Sequence, residues 1–207
     1  GEGAEPLAIE EVGDVMYDVA IHHGRRVDAS GRLLQQLNLA SGAYVLATVH
    51  RAENTDKPAR LQALVSGLEV VAKQMPVVWP MHPRTRGALE QMGRLVTLSP
   101  QLRLLDPVGY LDMVQLEKHA AVIATDSGGV QKEAFFYKVP CVTLRDETEW
   151  VELVDAGWNQ LVQPMSAMAV ADAVLAAVNR QGQDVKPYGA GDAATRIVKT
   201  LATSLIK

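Results

Sequence analysis

Short apolar runs alternate along this chain with longer stretches whose apolar residues recur at helical spacing. Residues 43–49, 76–80, 102–105, 121–125, 141–144 and 159–162 read as strands, with a further one near 95–98. The 3.6-residue period predicts a helix from Asp14 to about Ile21, with His22 and His23 near its end, and a second from a Ser30 cap through Leu39. A long helix follows over 58–74, with Leu61, Leu64, Val65, Leu68 and Val71 on one stripe. Further helices are predicted after His82 to about Met92 and over 110–119, 130–137, 167–179 and 192–206, while residues 1–9 look irregular. The run 121–125 is apolar at every position before Thr125, the pattern of a strand buried on both faces. Strands alternating with helices predict an α/β class: a Rossmann-like parallel sheet with helices on both faces.

Polar clusters follow the strands. They are His50 to Asn54, His82 with Arg84, Asp126 to Gly129, and Arg145 to Glu149. In an open parallel sheet the carboxyl ends of the strands share one edge, where ligands bind. Turns expected at the other edge, such as Gly93-Arg94, look ordinary. The third cluster is the most telling. A strand that runs through Ser127, Gly128 and Gly129 into a helix leaves N–H groups unpaired at the positive end of the helix dipole, where an anion such as phosphate is favoured. Glu133 lies one turn further, where a carboxylate could accept from vicinal hydroxyls. Asp, Ser and Gly also serve as plain caps and turns, so it is the convergence of clusters that argues for a phosphate or nucleotide site.

Composition narrows the chemistry. In 207 residues, 48% are hydrophobic and 21% charged, and the net charge of −4 favours neither a nucleic-acid surface nor a polyanion partner. The single cysteine, Cys141, sits in an apolar run and reads as a buried strand residue rather than a nucleophile. No apolar stretch is long enough to cross a bilayer and no signal-peptide pattern is present, so the protein reads as soluble and cytoplasmic, with no membrane partner. The side chains at the expected edge are cationic or hydrogen-bonding. His50 can donate to a diphosphate or move a proton, and arginine presents paired donors to phosphate. No Cys pair or H-E-x-x-H suggests a metal, and neither a Walker loop nor G-x-G-x-x-G is present.

At this point the residues resemble a known family, the non-hydrolysing UDP-N-acetylglucosamine 2-epimerases. The matching stretches are Val12-Gly-Asp-Val-Met-Tyr-Asp18, Thr48-Val-His-Arg-Ala-Glu-Asn54, Met81-His-Pro83, Thr125-Asp-Ser-Gly-Gly-Val-Gln-Lys-Glu133, Leu144-Arg-Asp-Glu-Thr-Glu-Trp150 and Tyr188-Gly-Ala-Gly191. The resemblance implies one half of a two-domain GT-B fold, the C-terminal UDP-binding domain, over residues 13–207 after an irregular lead-in of 1–12. It implies that Ser127, Gly128 and Gly129 hold the diphosphate, that Glu133 holds the ribose, and that His50, as the catalytic histidine, and Arg145 reach the phosphates. Met113 stands where relatives often place an aromatic beside uracil. Arg51 and His82, with Glu53, match regulatory or sugar-facing positions.

The implied reaction inverts C2 of a UDP-2-acetamido sugar by eliminating UDP and adding it back, with no metal and no cofactor beyond the UDP-sugar itself. The carboxylates that work on the C2 proton are expected in an N-terminal domain that appears missing, so this half alone is expected to be inactive. Ile197, Leu201 and Leu205 on the last helix are then expected to be partly exposed, or covered by a partner chain such as a homodimer mate. The alternatives are the nucleotide-binding domain of a GT-B glycosyltransferase, a hydrolysing relative, a nucleotide-sugar-binding module without catalysis, and an epimerase for another UDP-2-acetamido sugar such as a diacetamido uronate, the branch to which Trp150 points.

Overall fold

The computed structural model describes residues 9–27 and 31–205, with side chains in the last helix to Thr203. Its elements in order are α1 (Val15–Val27), α2 (Arg32–Gln36), β1 (Val45–Thr48), α3 (Ala52–Thr55), α4 (Pro58–Ala72), β2 (Val77–Pro80), α5 (Pro83–Gln91), β3 (Leu102–Leu105), α6 (Tyr110–Lys118), β4 (Val122–Thr125), α7 (Gly128–Phe136), β5 (Cys141–Thr143), α8 (Val151–Asp155), β6 (Asn159–Leu161), α9 (Ala167–Ala177) and α10 (Ala193–Leu205). The strands form one parallel sheet in the order β3-β2-β1-β4-β5-β6, with Val45 opposite both Val77 and Val122. Strand order reverses between β1 and β4. At such a switch point the two following loops diverge to opposite faces and leave a crevice at the carboxyl edge.

Both faces of the sheet are covered, as the unbroken apolar strands require. Val45, Ala47, Val77, Trp79, Val122, Ala124 and Val142 face a core closed by α4 and α9. Leu46, Val78, Ile123 and Cys141 face the opposite layer, with Leu34 of α2, Leu116 of α6 and Ala134 of α7. Neighbouring residues of each strand thus enter different cores, the consequence of a two-residue pleat. Close approach of α4 to α9 depends on Gly67, where a Cβ would lie 2.7 Å from the Val170 Cβ.

Several boundaries depart from the sequence expectation. Residues 95–98 do not form a strand: Leu95–Thr97 is a 3-10 turn, closed by Glu69, which accepts from Arg94 and from the Ser99 N–H. β3 already occupies the edge beside β2, so a short apolar run there packs as a turn instead. α2 is shorter than expected, ending at Gln36, and Gly31, in the left-handed region at φ 51°, takes the cap position; Ser30 lies outside the described residues. α7 begins two residues early, so Gly128 and Gly129 are its first turn. α8 was not foreseen; Leu153, its fully buried residue, anchors it. On α10 Leu201 is exposed and Ile197 half-buried, while the Leu205 side chain lies outside the described residues.

Candidate functional site

Asp126 is the first residue after β4 and has no exposed surface. A carboxylate in that position must find donors, because a buried unpaired charge is costly. The loop after β1 supplies them: the main-chain N–H of His50 at 3.0 Å, that of Arg51 at 2.9 Å and the Asn54 amide at 3.0 Å. Asn54 also donates to the Leu144 carbonyl at the end of β5 and accepts from Arg60 Nε, and Arg60 in turn pairs with Asp146 at 2.8 Å. One chain of hydrogen bonds therefore ties together the loops after β1, β4 and β5. Lower down, the hydroxyls of Thr48 and Thr125 meet across the same strand pair.

The first turn of α7 sits on this frame. Ser127 caps the helix by accepting from the Val130 N–H, and its own N–H donates to the Thr125 hydroxyl at 2.9 Å. The N–H groups of Gly128 and Gly129 have no hydrogen-bond partner among the described residues. Neither glycine has a positive φ, and a Cβ on either would meet neighbours only at ordinary contact distance. Backbone conformation does not demand glycine at these positions, and neither does crowding. What their missing side chains leave is open access to two N–H groups at the positive end of a helix.

Arg51, Trp150 and one carboxylate, Glu149 with Oε2 3.8 Å from where a Gly128 Cβ would stand, border that opening. A Cβ on Gly128 would stand 3.7 Å from Arg51 Nη2 and 3.5 Å from Trp150 Nε1. The Trp150 indole N–H donates to the Gly128 carbonyl at 2.9 Å, and Lys132 lies 4.5 Å over its ring. His50 Nδ1 is 3.7 Å from Asp126, and its ring lies 5.2 Å from that of His82. Burial holds the His50 imidazole below its ordinary range, against the pull of Asp126 and with the help of His82 and Arg51. His82 accepts the Arg84 N–H on Nδ1, which places its own ring proton on Nε2. Arg145 is buried, with Nε donating to Glu53 at 3.1 Å and Nη1 to Glu149 at 2.8 Å. Arg84 pairs instead with Asp56 at 2.7 Å.

Glu133 is half-buried on α7, where burial pushes its carboxyl up while hydrogen bonds to Tyr110 and Glu117 pull it down. Met113, also half-buried, packs on the core beside α6 and α7. The structure thus brings His50, Arg51, His82, Ser127, Gly128, Gly129, Arg145 and Glu53 to one edge, with Glu133 a turn further along α7 from Gly129. Sequence reasoning placed Asp126 and Asn54 in the polar clusters without giving either a role, and assigned none to Tyr110 or Glu117. The available signal was a carboxylate placed directly after a wholly apolar strand, which has to be paired within the fold. No group of three or more His, Cys, Asp or Glu that could hold a metal occurs among the described residues, and no described helix is long and apolar enough to cross a membrane. Cys141 is buried, and burial pushes its thiol up to about 12.

Comparison with known proteins agrees with this geometry. Residues 1–202 match the family model described as UDP-N-acetylglucosamine 2-epimerase. The chain is 46% identical over 204 residues to a UDP-2,3-diacetamido-2,3-dideoxy-D-glucuronate 2-epimerase of Pseudomonas aeruginosa, which covers 97% of this chain and 55% of that protein. A crystal structure of Methanocaldococcus jannaschii UDP-GlcNAc 2-epimerase, in complex with UDP-GlcNAc and UDP, superimposes with a TM-score of 0.85 at 35% identity, covering 98% of this chain and 57% of that one. The Neisseria meningitidis enzyme bound to UDP-GlcNAc gives a TM-score of 0.77 at 26% identity, over 93% of this chain and 54% of that one. The chain spans about half the length of the curated relatives it matches. Matched by the family model over nearly its whole length and by a relative of 46% identity over 97% of it, the chain belongs to the UDP-N-acetylglucosamine 2-epimerase family.

Proposed function

We propose that residues 13–207 form the nucleotide-binding half of a non-hydrolysing UDP-2-acetamido-sugar 2-epimerase, preceded by a lead-in of residues 1–12. The observation that carries this reading is the pair of unpartnered N–H groups at Gly128 and Gly129, with Arg51 beside them, His50 on the adjoining Asp126 and Arg145 linked through Glu149. The diphosphate would sit on the first turn of α7, with Glu133 accepting from the ribose hydroxyls and Met113 beside the base. Arg51, His82 and Glu53 line the outer, sugar-facing side. Arg145 is held by two carboxylates, and it would meet a phosphate by exchanging one of them for a phosphate oxygen.

In the full-length enzyme the reaction removes the C2 proton, breaks the C1–O bond to give a 2-acetamidoglucal and UDP, and then reverses with protonation at the opposite face. The contribution of this half is to stabilise UDP as it leaves. Each preorganised donor in a closed site is worth about 2.7–4 kcal/mol. His50, held neutral in the free protein, is suited to take up a proton as diphosphate charge develops beside it. The carboxylates acting at C2 belong to the other half of the enzyme, against which the exposed Val198 and Leu201 of α10 would pack.

The test is calorimetric titration of the chain with UDP and, separately, a turnover assay. Weak UDP binding without epimerisation is expected; turnover of UDP-GlcNAc by this chain alone, or no affinity for UDP, overturns the assignment. In the full-length enzyme, release of free 2-acetamido sugar together with UDP would identify a hydrolase instead. A diacetamido uronate is the favoured sugar on the 46% identity to the Pseudomonas enzyme, against 35% to the Methanocaldococcus one. Competition between the two UDP-sugars in the full-length protein decides between them.

A further inference from the structure

Two carboxyl groups meet beside α7. Glu117, on α6, is fully buried, and neither of its oxygens has a hydrogen-bond donor among the described residues. The group it faces is another carboxyl, that of Glu133. A buried carboxylate without donors is costly, and two facing carboxyls can bond to each other only by holding a proton between them. Burial, with the charge of Glu133, pushes Glu117 well above the usual carboxylate range, and burial raises Glu133 as well. A proton shared by the pair is favoured on Glu117, the more deeply buried of the two.

The surroundings supply hydroxyls rather than a compensating cation. Tyr110 on α6 bonds to Glu133. Tyr44 donates to the Leu116 carbonyl at 2.6 Å, and Tyr137 on α7 donates to the Ala20 carbonyl at 3.2 Å. The Cys141 thiol on β5 also senses Glu117. His23 of α1 stands edge-on to the Tyr110 ring at 5.4 Å, and Lys118 donates to the Gly24 carbonyl at 3.0 Å.

We propose that Glu117 is a positioning residue for nucleotide recognition: protonated, it donates a hydrogen bond to Glu133 and so holds that carboxylate with its remaining lone pairs toward the 2′- and 3′-hydroxyls of a ribose. Glu133 follows Gly129 by one turn of the same helix, so the element that receives the diphosphate also presents this carboxylate. The proposal rests on the UDP reading of the site and adds a residue that acts through Glu133 without touching ligand.

The experiment compares UDP with 2′,3′-dideoxy-UDP on the wild-type chain, Glu117→Gln and Glu117→Leu, by calorimetry between about pH 6 and pH 9, with thermal melts as a fold control. Gln keeps a donor toward Glu133, whereas Leu fills similar volume without one. Wild type and Glu117→Gln are expected to favour the ribose form by about ten- to a hundredfold, and Glu117→Leu by no more than about threefold. Alkaline pH is expected to erode the preference in wild type and to leave it intact in Glu117→Gln. A full preference retained by Glu117→Leu, or lost equally in Glu117→Gln, overturns the proposal while the UDP reading stands. Failure of wild type to bind either nucleotide removes both.

Discussion

The Asp126 carboxylate accepts the main-chain N–H of His50 through both of its oxygens, at 3.0 and 3.1 Å. Residues 76 positions apart are thereby locked where strand order reverses, with the imidazole Nδ1 3.7 Å from the same carboxylate. The polar edge of this sheet is built around that contact, and its consequences can be measured.

Replacing Asp126 with Asn removes the charge and turns an N–H₂ toward at least one of the three donors it now serves. Leaving buried donors unpaired costs about 1–3 kcal/mol each, so a loss of roughly 2–4 kcal/mol in urea unfolding is expected. The effect should be strongly non-additive with Asn54→Ala, because both residues belong to one network. Simple additivity in the double-mutant cycle counts against the network.

Gly128→Ala separates fold from ligand. The added methyl meets Trp150 at 3.5 Å and Arg51 at 3.7 Å, distances a folded protein accommodates. The melting temperature should move little, while UDP affinity falls by about tenfold or more as the methyl fills the approach to the N–H groups. Unchanged UDP affinity would contradict the anion cradle.

The His50 ring titrates below the ordinary imidazole range in the free chain because burial, His82 and Arg51 oppose its charge. A diphosphate placed beside it reverses that balance and should raise its titration midpoint by about one pH unit or more. Ring-proton NMR with and without UDP reads this directly. A midpoint that UDP leaves in place removes His50 from the site.

Glu117 and Glu133 both titrate above the usual carboxylate range in the folded chain. A raised carboxyl contributes stability that is complete below its unfolded value of about 4.3 and is lost as pH climbs toward the folded value. Relative to Glu117→Gln, wild type should therefore lose stability as pH rises, with a slope approaching about 1.4 kcal/mol per pH unit where one extra proton is held. Denaturant melts of both proteins across that window test the sign. Parallel curves would mean that the pair holds no such proton.

Gly67→Ala probes the far side of the sheet. The new Cβ would lie 2.7 Å from Val170 Cβ and 2.8 Å from the Ala167 carbonyl, so α4 and α9 must separate. A destabilisation of about 1–3 kcal/mol is expected from overpacking, with UDP affinity preserved.

Much of this protein is written in local sequence. Apolar runs at 121–125 and 43–49 needed no context to be read as central strands, since a strand covered on both faces is apolar at nearly every position. Polar clusters directly after those runs located the polar carboxyl edge of the sheet for the same reason. Residues 95–98 were misread because a short apolar run carries no information about whether a sheet edge is still free. The first turn of α7 was placed late because two glycines lack helical propensity, a local penalty that the Ser127 cap and the Trp150 bond to Gly128 outweigh.

Period and composition by themselves determined the α/β class, the strands of the parallel sheet and the glycine turn, since each follows from chemistry within a few neighbouring residues. Only the tertiary structure decided that Asp126 would bind the loop after β1, that Arg145 would be shared by two carboxylates, and that the buried Glu117 would meet Glu133. Those relationships join residues 16 to 92 positions apart, or set an i,i+4 pair in a particular loop, and they exist because the order of strands brings separate chain ends to one edge.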